Sequence, residues 1–525
     1  MKIKNLLLLA LALGSANSLW AKKSPERVIS ADISQVEQKL SETYFNCVGA
    51  GRAGEGLRSD WQKQMTMLQK EAPFKYIRFH GLFHDDMGVY FKDKNGVETY
   101  NFQYIDELYD FLLSVNIRPF VELSFLPKDM TSGEDTIFWW KGNINTPKSY
   151  EDWGNLVKAF TQHVTDRYGR EEVSKWYFEV WNEPNLSAFF SGTMQDYFKL
   201  YEAASLAVKS VDEGYRVGGP ATAGNAWVNE FIGHCEEKNL PLDFFSTHHY
   251  GVHGALDEFG VQQLRMSKYP SAVYGGVNAT REKIDKATDK YLELHYTEWS
   301  SSYSPRDLTH DTYLNAAYVL NTLRHTDKSA QSMSYWTFTD IFEESGIPTK
   351  PFHGGFGLIT MAGIKKPTYF SYQYLSQLGE YEMKSSDENS WVCKDKDGNI
   401  QVLAYDITMP DLEAINEFNN RIFSKEIIPA DKGSIKVDLS GIEDGLYNLE
   451  VYHTGHRHND SQTIYFDLGR PNVLSPTEEA TLRQHTQDKA EVMEVIEIKD
   501  GRFTRSLPLK DNDVYLVKLN KIKGN

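Results

Sequence analysis

Trp176-Tyr177-Phe178-Glu179-Val180-Trp181-Asn182-Glu183-Pro184 decides how the rest of the chain is read. Its aromatic and β-branched first half predicts a buried strand. Asn182-Glu183-Pro184 ends that strand, because Pro184 has no N–H for a sheet ladder and biases Glu183 away from helix. A carboxylate is thereby fixed at the C-terminal tip of a strand, where α/β barrels hold their reactive groups. Alone, the tripeptide reads equally well as a solvated strand end. A second strand-like run, residues 292–297, ends in Glu298-Trp299, 115 residues further on. One strand–helix unit of a barrel takes about 30 residues, so the spacing fits a fourth and a seventh strand.

Working outward, eight strand-like runs fall in order at residues 44–48, 75–79, 118–123, 176–180, 215–218, 243–248, 292–297 and 332–338. Stretches with apolar residues at three- and four-residue spacing lie between them, at 60–70, 106–114, 153–168, 194–211, 275–288 and 311–326. Strands alternating with helices predict a (β/α)8 TIM barrel over residues 44–380. Helical periodicity stops after residues 370–379. Short alternating runs separated by turns follow, which predicts an all-β sandwich over 381–525. Residues 27–33 read as a further strand, so the segment 22–43 is expected to pair into that sandwich.

The first 21 residues read as a secretory leader: Lys2 and Lys4, then an apolar core from Leu6 to Leu13 too short to span a bilayer. Export to the periplasm or beyond the cell follows, with no membrane anchor. A net charge of −17 argues against nucleic acid as a partner. Three scattered cysteines, Cys47, Cys235 and Cys393, make neither a disulfide framework nor a zinc spacing. Neither metal nor cofactor is expected. The oligomeric state stays open, a homo-oligomer included.

Two glutamates on strand tips of one barrel match the needs of glycoside hydrolysis, in which one carboxyl protonates the leaving oxygen and the other attacks the anomeric carbon. The remaining strand ends supply partners. Arg78 lies inside the second strand, where an arginine requires an anion, and Glu298 is the anion proposed. His80 follows it. Asn182 adjoins Glu183. On the sixth strand His248 and Tyr250 share a parity and read as partners of the sugar and of Glu298, whereas His249 points to the other side. Trp336 on the eighth strand is read as the floor under a sugar ring. Glu343 and Glu344 are read as acceptors for sugar hydroxyls, or else as a solvated acidic turn.

These stretches carry a resemblance. Cys47-Val-Gly-Ala-Gly-Arg-Ala53, Arg78-Phe-His-Gly-Leu-Phe83, Val121-Glu-Leu-Ser-Phe125, Trp181-Asn-Glu-Pro184, Ser246-Thr-His-His-Tyr250, Thr297-Glu-Trp299 and Tyr335-Trp-Thr-Phe-Thr-Asp-Ile-Phe-Glu-Glu344 resemble glycoside hydrolase family 39, home of β-xylosidases and α-L-iduronidases. The resemblance runs from about residue 25 to 380. It implies Glu183 as general acid/base, Glu298 as nucleophile, Asn182 on the sugar 2-hydroxyl, and a carboxyl separation of about 5–5.5 Å, the retaining geometry. The acidic eighth-strand loop favours a neutral sugar over a uronate, with β-D-xylosides leading and arabinosides, galactosides and uronides as alternatives. The connection 128–150, with Trp139 and Trp140, favours exo action. A carbohydrate-binding barrel without catalysis is the rival class, and it predicts loss of residues that are all present. A metal-dependent barrel hydrolase lacks its His-x-His on the first strand.

Overall fold

The structure is a computed structural model that describes residues 25–523; the leader expected over residues 1–21 lies outside the described residues. Eight parallel strands close into a barrel: β1 (Cys47–Arg52), β2 (Tyr76–His80), β3 (Arg118–Leu123), β4 (Tyr177–Val180), β5 (Arg216–Ala223), β6 (Phe244–Tyr250), β7 (Glu293–Ser300) and β8 (Ser332–Tyr335). They are buried almost continuously along their length, as strands covered by helices outside and filled by side chains inside must be. The helix Met194–Val211 has the bounds its periodicity predicts. β1 begins three residues later than expected, because Thr43–Phe45 is a 3-10 turn. The helix Val228–Glu237, which the sequence reading did not single out, fills the β5–β6 interval.

Inward-facing residues alternate along each strand and stack in layers. At the bottom, Phe120 and Tyr177 stack at 4.8 Å and Phe244 meets both edge-on, with Cys47 beside them. This aromatic plug closes the barrel. Two residues up each strand stands a charged layer made by Arg78, Glu122 and Glu179, all buried. The next residues up deliver the tips.

Beyond the barrel, two antiparallel-rich sheets face each other over a second core that includes Ile435, Val437, Leu449, Val451 and Val517. Their strands, such as Asp431–Ser440 and Gly445–Thr454, show alternating burial, the signature of sheets with one wet face. Glu26–Asp32 pairs parallel to Asp431–Ser440, and Val36–Lys39 pairs antiparallel to Tyr381–Met383. The start of the chain thus contributes a strand to each sheet before it enters the barrel. All three cysteines are free and buried.

Candidate active site

Strand geometry alone does not aim Glu183. After Val180 the chain passes through two residues in the left-handed region, Trp181 (φ 74°) and Glu183 (φ 44°). Such non-glycine conformations cost of order 1–3 kcal/mol each and persist only where the surroundings fix them. Here Trp181 N donates to Leu123 O, Trp181 Nε1 to Phe189 O, and Glu183 N to Ala221 O at 2.8 Å. Glu298 is aimed by a different device. The β6–β7 register slips by one residue between Thr247–Tyr296 and His248–Glu298. The extra residue, Thr297, lets two consecutive side chains, Thr297 and Glu298, reach the interior, as a bulge does.

The two carboxyls meet at the mouth of the barrel. One oxygen of Glu183, one of Glu298 and a ring nitrogen of His248 lie within 4.8 Å of one another. Such proximity lets both carboxyls reach one glycosidic bond, as hydrolysis by a carboxyl pair requires.

The environments of the two differ. Glu298 Oε1 accepts from Arg78 Nη1 at 2.6 Å, and Oε2 accepts from the Tyr250 hydroxyl at 2.7 Å. Burial and the adjacent Glu298 charge push the Glu183 carboxyl well above the usual carboxylate range. Its partner is His248 Nδ1, 2.9 Å from Glu183 Oε1. Burial, aided by Arg78 and His80, drops His248 well below its ordinary value, so the imidazole is neutral. Thr297 donates its hydroxyl hydrogen to Glu179 Oε1 at 2.8 Å, so its oxygen accepts from His248 Nε2 at 3.1 Å. His248 Nδ1 is then a bare lone pair, and a carboxyl oxygen 2.9 Å away must carry the proton.

Arg78 anchors this arrangement. Its guanidinium, fully buried, meets Glu179 Oε2 at 2.8 Å, Glu122 Oε2 at 2.8 Å and Glu298 Oε1, and Nη2 donates to Asn182 Oδ1 at 2.8 Å. With its oxygen so held, Asn182 keeps its amide NH2 buried and without a partner among the described residues. His80 packs 4.8 Å from the Trp336 ring. Burial pulls His80 down, but Glu122, helped by Glu344 and Glu298, outweighs it and pushes it up to about 10. Burial lifts Glu344 to about 7.

A cavity of about 540 Å3 opens above the pair, within the range of small-molecule sites. Asn182, Glu183, Glu298, Tyr250, His80, Trp336 and Glu344 line it, with Leu186, Phe189, Tyr303 and Phe356 as apolar wall. Gly49 is required on β1 because a Cβ there would collide with the Trp336 ring.

A model of glycosyl hydrolases family 39 matches residues 27–504. The chain belongs to this family. It is 38% identical over 483 residues to the beta-xylosidase of Caldicellulosiruptor saccharolyticus, covering 91% of this chain and 95% of that one. It is 35% identical over 495 residues to the beta-xylosidase of Geobacillus stearothermophilus, covering 93% and 94%. The crystal structure of a monomeric beta-xylosidase from Caulobacter crescentus CB15 superposes with a TM-score of 0.91 at 40% identity, covering 95% of this chain and all of that one. As a family 39 member, the chain is a glycosidase.

Two sequence expectations about this family 39 site are corrected by the geometry. Glu343 does not line the cavity: its oxygens are turned to Arg52 Nη2 at 3.0 Å and Arg58 Nη1 at 2.9 Å. His248 does not reach the sugar either, since Glu183 and Thr297 occupy both ring nitrogens, and its nearer carboxyl is Glu183, with Glu298 at 3.6 Å. His249, within β6, borders the cavity as well, although its Nε2 lies 3.1 Å from Ala272 O on the other side. Glu122, Glu179 and Thr297 were not singled out in the sequence. A glutamate within each of two apolar strands was the available signal, because a buried carboxylate requires a partner and Arg78 stands in the same layer.

Proposed function

We propose that the protein is an exo-acting, retaining β-D-xylosidase in which Glu298 is the nucleophile and Glu183 the acid/base. One observation carries the reading. Two carboxyls with an oxygen of each within 4.8 Å differ in environment, Glu298 charge-paired to Arg78 and Glu183 buried with its proton directed at a neutral His248.

In the first step a Glu298 oxygen attacks the anomeric carbon from below as the glycosidic bond breaks, and Glu183 gives its proton to the departing oxygen. The Asn182 NH2 donates to the 2-hydroxyl, a hydrogen bond that strengthens as positive charge develops on the ring. Formation of the glycosyl ester removes the negative charge of Glu298, the second-largest cause of Glu183's high proton affinity. Glu183, now an anion more readily kept, takes a proton from water, and that water releases the sugar. His248 Nδ1, oriented by Thr297, accepts from the protonated Glu183 carboxyl and holds it in place until the proton passes to the leaving oxygen. Tyr250 keeps its hydrogen, since burial and the Glu298 charge hold the phenol well above its ordinary value.

The beta-xylosidases that resemble this chain over nearly its whole length support xylose as the sugar. The cavity supports a neutral ligand: the carboxyls of Glu298 and Glu344 face it, and the cations within reach, His80 and Arg78, are committed to carboxylates. Exo action is supported by the 128–150 connection, where Trp139 N donates to Glu344 O and Phe138 packs near-parallel to His80 at 5.7 Å, walling one side. The leader over residues 1–21 supports an exported enzyme, and N-terminal sequencing of the secreted protein checks it. Among the described residues no helix is long and apolar enough to cross a membrane.

A panel of aryl β-xyloside, α-arabinoside and β-galactoside tests the substrate, with the β-xyloside expected to be cleaved fastest; failure to cleave any of the three overturns the reading. The pH profile tests Glu183. Its raised proton affinity keeps the acid protonated above the usual carboxylate range, so kcat/KM is expected to fall as pH rises through that raised value, and Glu183→Gln is expected to lose this alkaline limb. A wild-type alkaline limb that survives in Glu183→Gln contradicts the assignment. Asn182→Ala is expected to lower kcat by about 10²–10³-fold, the size seen on removing one donor to developing charge, with little change in KM. A raised KM at constant kcat would assign Asn182 to ground-state binding instead.

A further inference from the structure

A cluster in the sandwich domain, outside the cavity, has the arrangement of a metal-ligand set. His453 and Glu491 face each other across the pairing of strands Gly445–Thr454 and Val492–Ile498, and the loop that follows the first strand brings in His458. His453 Nδ1 lies 3.0 Å and His458 Nδ1 2.6 Å from the same oxygen, Glu491 Oε1. One ligand atom from each residue lies within 4.8 Å of the others. The second nitrogen of His453 is 3.0 Å from Asp513 Oδ1.

The charges in this cluster do not balance with neutral rings. His453 stands between two carboxylates, one at each nitrogen, and a neutral imidazole has one N–H. Its remaining lone pair would face an anion. Neither Glu491 nor Asp513 has a lysine or arginine side chain within ion-pair distance among the described residues. A positive charge must therefore sit among His453, His458 and Glu491, as extra protons or as a cation.

We propose that these three residues bind a divalent transition-metal ion of the zinc type. His453 and His458 would donate through Nδ1, Glu491 through Oε1, and water would complete the shell on the open side, where His458 and Glu491 are partly exposed. Two imidazoles and one carboxylate form a nitrogen-rich donor set that selects zinc-like ions over calcium or magnesium. With metal–nitrogen bonds of about 2.0–2.1 Å, tetrahedral ligands stand about 3.3 Å apart, so the pairs at 3.0 and 2.6 Å need open by only a fraction of an ångström to admit the ion. The second shell is already built. Asp513 accepts the Nε2–H of His453, the carboxylate–histidine pairing that fixes the tautomer of a metal ligand, and is itself held by Lys510 N at 2.7 Å. The His453 ring is stacked on Tyr515 at 4.3 Å and 14°. Glu491 N donates to Val451 O at 2.8 Å, and His458 N to Gly455 O at 2.9 Å. Both other ligands are therefore pinned by their own backbone close to the strand that carries His453. Bound metal would tie the edge strand Val492–Ile498 and the loop to that strand, a stabilising role with no part in the chemistry at the barrel mouth.

The test uses the full-length protein without a polyhistidine tag, stripped with chelator and then titrated with zinc chloride, following both thermal unfolding and competition with a chromogenic chelator. Wild type is expected to bind one zinc ion tightly and to unfold at higher temperature with zinc but not with magnesium or calcium, as a ligand of the folded state requires. His458→Ala, at a half-exposed loop position, and Glu491→Gln are each expected to weaken binding at least tenfold and to lose the thermal shift. Glu183→Gln controls for the acid pair at the barrel mouth and is expected to keep both. A wild type that binds no zinc overturns the proposal. So does a zinc response that persists in His458→Ala and Glu491→Gln, or one that disappears in Glu183→Gln.

Discussion

Glu298→Gly is expected to lose at least about 10⁴-fold in kcat on an aryl β-xyloside, about 5.4 kcal/mol of transition-state stabilisation, and to regain turnover in azide as the α-xylosyl azide. The space vacated below the anomeric carbon admits a small anion, which displaces the aglycone directly with inversion. Glu183→Gly is expected to answer differently to the same reagent. With an activated leaving group that needs no proton, the glycosyl ester still forms on Glu298, and azide then enters from above to give the β-xylosyl azide. Opposite anomers from the two variants follow from opposite positions of the two carboxyls about the sugar. The Glu183 variant is also expected to lose about 10²–10⁴-fold on xylobiose, whose leaving group must be protonated, while losing little in the first step with a dinitrophenyl xyloside. Product analysis by NMR reads both results. The same azide anomer from both variants would contradict the assignment of roles.

Arg78→Met is expected to destabilise the fold by about 3–5 kcal/mol as well as to abolish activity. Three carboxylates share this guanidinium, and Glu122 and Glu179 are buried beyond the reach of water. Removing the cation leaves their charge uncompensated in the barrel interior. The sign of the pH dependence is fixed by the same contacts. In the wild type Arg78 and His80 overcome burial and hold Glu122 below the usual carboxylate range, so its charged form stabilises the fold above its unfolded value and that contribution fades as pH falls through the lower folded value. In the variant, burial without Arg78 raises the proton affinity of these carboxyls, so lowering the pH relieves the defect. The stability difference between wild type and Arg78→Met, measured by denaturant unfolding, is expected to shrink on going from neutral to mildly acid pH. A loss below about 1 kcal/mol, or a gap that does not change with pH, would contradict a charge-anchoring role.

The barrel was legible because its signals are periodic. Strand runs such as 118–123 and helix stretches such as 194–211 follow from spacing alone, and a carboxylate before proline at a strand tip points to the mouth. The parts that were not legible depend on departures from that period. Strict alternation on β7 would turn Thr297 and Glu298 to opposite sides, and only the slipped register brings both inside. His248 was placed on the correct face by parity, yet its choice of Glu183 over Glu298 depends on how far the left-handed turn at Trp181 and Glu183 carries the acid. Glu343 and Glu344 are adjacent in sequence and read alike. In space Arg52, at the end of β1, and Arg58, just after it, take one of them, and no spacing within the eighth-strand loop reveals that. The sandwich cluster was invisible for a similar reason, since Glu491 lies 38 residues from His453, just before the strand Val492–Ile498.

The central claim is that Glu298 attacks the sugar directly and Glu183 later activates water from the opposite face. Proton NMR of the wild-type enzyme acting on an aryl β-xyloside, recorded before mutarotation, tests it most directly. The account predicts that β-xylose appears first and the α anomer only later, as equilibrium is approached. Initial release of α-xylose would mean a single displacement by water, and would contradict it.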